Sequence, residues 1–209
     1  MATLAGVISV PRLILASASP PRRNLLAAAG IDAEVLVSGV DESIVDAASP
    51  EMLCLTLARL KAEAVAARLA GASDAVVVGC DSVLALDGQI LGKPADAAEA
   101  RQRWYTMRGR TGLLHTGHCL VHLPEGKRAD GVASTVVRFG EVSDEEIDAY
   151  VGTGEPLHVA GAFTIDGRGG PFIESIEGDH GNVIGLSLPL LRRLLAELGI
   201  RLIDLWRAR

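Results

Sequence analysis

Residues 75–94 read AVVVGCDSVLALDGQILGKP. The first six form an unbroken apolar run rich in β-branched valine, which predicts a central strand buried on both faces. SVLALDGQIL then sets Asp87-Gly88 between two apolar segments, the signal of a tight hairpin. Asp81 directly follows the apolar run, so its carboxylate is expected at a strand's carboxyl end, where open α/β sheets place their binding sites. Shortly after, Gly92-Lys93-Pro94 frames a lysine rigidly. A carboxylate and a lysine beside a phosphate suit metal-assisted hydrolysis. By spacing alone, the stretch reads equally well as a hairpin with ordinary surface charges.

Upstream, residues 13–24 read LILASASPPRRN. A buried strand over 12–18 is expected to give way to a helix with Ser19 as N-cap and Pro20 at its first position, ended by Gly30. Arg22 and Arg23 would then sit in the first turn, where the helix dipole disfavours positive charge. A phosphate at that point reverses the sign, because backbone amides, Ser17, Ser19 and a guanidinium can converge on it. The competing reading sends both arginines into solvent or onto carboxylates.

Further elements follow from the same signals. A short strand is expected at 34–37, then an acidic loop, GVDESIVDAA. Ser49-Pro50-Glu51 opens a long helix to about 69, and Asp96 caps another to about 107. Two longer strands are expected at 113–123 and 132–139, the first ended by PEG. Ser143 with Glu146 forms a capping box for a helix to about 151. The glycine-rich GAFTIDGRGG leads to a strand at 172–176, then a helix at 189–198 and a terminal strand or helix end in RLIDLW. Strands and helices mix without a strict βαβ rhythm, which predicts one α/β domain with a mixed, twisted sheet and two lobes around a cleft.

In the acidic loop, Asp41-Glu42 can supply a magnesium ligand, since that ion favours one or two carboxylates plus substrate phosphates; a solvated loop is the alternative. Lys61 falls on a helix face with Arg59, Glu63 and Arg68, which reads as a solvated charged face.

Composition bounds the rest. The chain has 209 residues, 49% hydrophobic and 22% charged, enough for a substantial core. Its net charge of −6 argues against a nucleic-acid polymer or an anionic membrane as partner, but not against a small anion held by local cations. Three scattered cysteines, Cys54, Cys80 and Cys119, lack metal spacing and read as buried free thiols in a reducing compartment. Ala16-Ser17-Ala18 mimics a signal-peptidase site, but no basic region precedes it and Pro11-Arg12 interrupts the apolar run. A soluble cytoplasmic protein is expected. GxxxxGK[ST], a strand-linked GxGxxG, GxSxG and HExxH are all missing, which removes support for P-loop, dinucleotide-binding, serine-hydrolase and zincin readings.

Taken together, LILASASPPRR, GCDSVLALDGQILGKP, EPLHVAGAFTIDGRGG and NVIGLSLPLL resemble, in order, the signature blocks of the Maf family of nucleoside triphosphate pyrophosphatases, also called septum formation inhibitors. The likeness runs over 12–209 and leaves residues 1–11 as an N-terminal extension. It implies Asp81 as general base, with Glu42, Lys61, Lys93 and Arg22 completing the catalytic set and Arg23 a weaker candidate for the motif arginine. It implies Mg²⁺ or Mn²⁺ held by Glu42, Asp81 and phosphate oxygens, and a common homodimer. Substrate contacts would come from Ser17, Ser19, Arg22, Arg23, Ser82 and Asp166. The family's pyrimidine-selective branch has Thr and Gln where this chain has Ser82 and Asp166, and the methylated-guanine branch has Gln and Glu. These two positions match neither branch, and Asp166 reads either as a base contact or as the cap of a turn at Asp166-Gly167. A nucleotide-binding regulator of cell division, acting through a protein partner, is the alternative class. A phosphomonoesterase is a third. Asp81, Lys93 and Arg22 together favour an enzyme over a pure binder, and the two enzyme readings differ in their product, pyrophosphate or orthophosphate.

Overall fold

The computed structural model describes residues 11–206, apart from 70, 72, 73 and 124. The extension expected over 1–11 therefore lies, but for Pro11, outside the described residues, as does the proline of the PEG turn. The chain runs β1 (Arg12–Leu15), α1 (Pro20–Ala28), β2 (Ala33–Val35), α2 (Pro50–Arg68), β3 (Ala75–Leu86), β4 (Gln89–Leu91), α3 (Ala97–Met107), β5 (Thr111–Leu123), β6 (Lys127–Phe139), α4 (Asp144–Gly152), β7 (Ile173–Glu177), α5 (His180–Ile184) and α6 (Leu188–Glu197), with short 3-10 turns between. The strands form one open mixed sheet of order β2-β1-β3-β5-β6-β7, with β4 hairpinned onto β3. β1 pairs in parallel with β2 and β3, and the other pairs are antiparallel.

Local chemistry accounts for the helix starts. Ser49, Asp96 and Ser143 each accept from an amide in the first turn, and Ser143 with Glu146 makes the full capping box. The hairpin turns at Asp87-Gly88, both with positive φ, as a two-residue turn between twisted strands demands.

The AVVVGC strand is buried on both faces. Val76, Val78 and Cys80 face α1 and α6, while Ala75 and Val77 face α2. A separate apolar cluster around Trp104 fills the other lobe, where Phe139, Tyr150 and Phe172 pack edge-on against the indole. The long strands β3, β5 and β6 span both lobes.

Two glycines set the depth of α2. A Cβ on Gly79 would lie 2.2 Å from the Ala58 carbonyl oxygen, and one on Gly117 would lie 2.3 Å from that of Cys54. The helix backbone thus rests directly on the sheet. Gly117→Ala should cost about 1–3 kcal/mol through overpacking, read as a lowered midpoint in chemical denaturation; an unchanged midpoint would contradict this close approach.

Several boundaries differ from expectation. β1 ends at Leu15, and after the Ala16 amide donates to the Val78 carbonyl (2.8 Å) residues 17–19 leave the sheet before α1. β3 does not stop before Asp81 but continues to Leu86, because β5 supplies an unbroken antiparallel ladder, with Asp81 opposite Gly117. Asp81 is therefore mid-strand, although it lies beyond the last parallel pairing of β1, Leu15 with Val78. RLIDLW forms a 3-10 turn at Leu202–Leu205, followed by an isolated bridge from Trp206 to Ile31. The five-residue α5 is too short for an apolar period to register in the sequence.

Candidate active site

A cleft of about 1100 Å³ opens between the lobes. Ser17, Ser19, Arg22, Glu42, Lys61, Asp81, Ser82, Lys93 and Asp166 all line it. Arg23 does not: it is exposed on the next position of α1 and absent from the cleft wall.

At the floor, α2 places Lys61 over β3. Its Nζ lies 2.5 Å from Asp81 Oδ1 and 2.8 Å from Glu42 Oε1. Lys61 is thus buried between two carboxylates rather than on the solvated face expected from its helical neighbours. Burial pushes the Asp81 carboxyl above its usual range, despite the opposing charges of Lys61 and Arg22. Glu42, on the 3-10 turn Glu42–Ile44, is about half exposed. Burial raises its pKa too, but the Lys61 hydrogen bond and the charges of Lys61, Lys93 and Arg22 outweigh that and hold it low. One lysine thus bridges two carboxylates whose environments drive them apart, a pattern suited to dividing acid–base work.

The question raised by arginines in a helix's first turn has a geometric answer. Arg22 folds under the helix. Its Nε donates to the Gly185 carbonyl (2.7 Å), Nη1 to Ser17 Oγ (3.1 Å) and the Cys80 carbonyl (2.9 Å), and Nη2 to Ser82 Oγ (3.0 Å). Those acceptors offset the dipole. Pro20 and Pro21 have no N–H, so this helix start offers an anion fewer amides than most. Ser19 makes no side-chain cap bond, whereas Ser17 Oγ accepts the Ser19 amide.

Ser82 is fixed as well. It accepts from Arg22, bonds Thr116 Oγ1 at 2.9 Å, and Thr116 donates to the Asn182 carbonyl. Lys93 is exposed at the rim. Its loop is held by the Gly92 carbonyl, which accepts from Arg103 Nη1 (2.6 Å) and the Gly161 amide (3.0 Å).

Sequence reading missed Glu155, Thr164 and His158, all on the second-lobe wall. Glu155 Oε1 accepts from Thr164 Oγ1 at 2.5 Å, and its carboxylate also takes the Arg168 and Gly169 amides. No local sequence pattern marks that role. Asp166 sits exposed in the same loop and makes no side-chain hydrogen bond among the described residues. The cysteines are free and buried, and burial pushes Cys54 and Cys119 to about 12 and Cys80 to about 11, which leaves them inert. Among the described residues, no helix is long and apolar enough to cross a membrane.

Fold and site together define an α/β protein with a cleft between two lobes above a buried carboxylate–lysine pair. The chain belongs to the Maf family, whose model, described as Maf-like protein, matches residues 12–198. Curated relatives named nucleoside triphosphate pyrophosphatase include one from Salinispora tropica, 66% identical over 93% of this chain and 87% of its own length. Another, from Streptomyces coelicolor, is 63% identical over 93% of this chain and 94% of its own. A third, from Synechococcus elongatus, is 53% identical over 96% of this chain and all of its own.

Proposed function

We propose that the protein hydrolyses nucleoside triphosphates between the α and β phosphates, giving a monophosphate and pyrophosphate, and so removes non-standard or surplus nucleotides. The observation that carries this reading is the Glu42–Lys61–Asp81 chain at the cleft floor, and the relatives' shared name agrees with it.

Asp81 accepts the proton of the attacking water: it is an oxygen base raised by burial, oriented through Oδ1 by Lys61. Lys61, Lys93 and Arg22 offset phosphate charge, Lys61 and Lys93 directly and Arg22 with what remains of its guanidinium beyond the bonds to its carbonyl and hydroxyl acceptors. Ser17 and Ser19 border the phosphates at the α1 start. The donor set fits Mg²⁺ or Mn²⁺: Glu42 and Asp81 already converge on one cationic nitrogen, and phosphate oxygens would complete the shell. When bound, it would neutralise phosphate charge and acidify the attacking water.

Asp166 faces the base. Ionised, it only accepts hydrogen bonds, which favours guanine N1–H and amino groups or the N3–H of uracil and thymine over adenine and cytosine. The buried free thiols suit a cytoplasmic location, and a homodimer is the assembly the family likeness implies. The reading requires that Mg²⁺ or Mn²⁺ support turnover across a nucleotide panel and that chelation stop it. Full turnover in excess chelator would contradict the metal's part.

A further inference from the structure

The 164–170 loop is wrapped around one carboxylate. Glu155, just after the left-handed Gly154, turns inward from the 3-10 turn Glu155–His158. Its Oε1 accepts from Thr164 Oγ1 (2.5 Å) and the Gly169 amide (3.2 Å), and Oε2 accepts the Arg168 amide (3.2 Å). The Thr164 amide donates to the Tyr150 hydroxyl at 3.2 Å, fastening the loop's start to α4.

The fit is close. A Cβ on Gly167 would lie 2.7 Å from Thr164 Oγ1 and 2.8 Å from Glu155 Oε1, and one on Gly169 would lie 2.6 Å from both the Thr164 carbonyl and the Tyr150 hydroxyl. Asp166 lies between these anchors, on the cleft wall, and among the described residues its side chain makes no hydrogen bond. Whatever fixes Asp166 must therefore act through its neighbours.

We propose that Glu155 is the positioning residue of this loop, presenting Asp166 to the nucleobase through its bonds to Thr164, Arg168 and Gly169. The proposal rests on the reading of Asp166 given above. A neutral amide at 155 offers only one acceptor oxygen and turns an NH₂ toward backbone donors, so the loop would loosen while the Lys61–Asp81 pair at the cleft floor stays as it is. The cost should fall on nucleotide binding and base choice rather than on the chemical step.

The test is Glu155→Gln, with Thr164→Val as a second variant that leaves the carboxylate in place but removes its 2.5 Å partner. Hydrogen exchange of the Arg168 and Gly169 amides should quicken in Glu155→Gln. The KM for GTP should rise about tenfold, the scale of a lost charge-assisted hydrogen bond, with kcat nearly unchanged. The GTP:CTP efficiency ratio should shift toward unity in both variants. Unaltered exchange, or a loss confined to kcat with the ratio intact, would overturn the proposal. Asp166→Asn separates the two readings: if it leaves the ratio unchanged while Glu155→Gln alters it, Asp166 is not the base contact but Glu155 still positions the loop. The exchange measurement needs no turnover, so it decides on Glu155 even if the proposed hydrolysis fails.

Discussion

Asp81→Asn will lower nucleoside triphosphate turnover by roughly 10² or more, since it keeps the side chain's shape while removing the base. The protein should remain folded, because asparagine still fits beside Lys61 and Lys61 keeps Glu42 as a partner. The wild-type rate carries a related signature. Asp81 must be ionised to accept a proton, and burial has raised its pKa. Activity should therefore begin to fall on acidification at a higher pH than an ordinary carboxylate would give. Near-normal turnover in Asp81→Asn, measured by pyrophosphate release, would remove Asp81 from the chemistry.

The second large effect concerns stability and His118. This imidazole is fully buried in β5, with Nδ1 donating to the Thr116 carbonyl at 3.0 Å and Nε2 accepting the Ser187 amide at 2.8 Å. Burial depresses it from 6.5 to about 4. A depressed histidine stabilises the fold above its ordinary pKa, and that stability drains away as pH falls from 6.5 toward 4. The loss should approach about 3 kcal/mol across that window. Protonation would also turn Nε2 into a donor facing the Ser187 amide at the α6 N-cap. Denaturation midpoints against pH should show this slope in the wild type and lose much of it in His118→Gln. Equal slopes in the two proteins would contradict the assignment.

What the sequence made legible is what local chemistry controls. Ser49, Asp96 and Ser143 announce their helices because a cap and a first turn lie within a few residues of each other. The valine run announces a strand buried on both faces, and Asp87-Gly88 a turn. Asp81 and Ser82 break the apolar run of β3, and only the β5 ladder, set by distant residues, shows that the strand continues. Lys61 reads as solvated because its helical neighbours are charged; Gly79 and Gly117 let α2 sink far enough to bury it. The contacts of Arg22 reach residues 58 and 163 positions away, beyond any motif window. Glu155 is silent for the same kind of reason: its meaning lies in the curvature of the loop it holds.

The most direct measurement is phosphorus NMR of the products formed from GTP with Mg²⁺, for the wild type and Asp81→Asn side by side. The account predicts GMP and pyrophosphate from the wild type and little of either from the variant. GDP and orthophosphate, or equal product from both proteins, would contradict it.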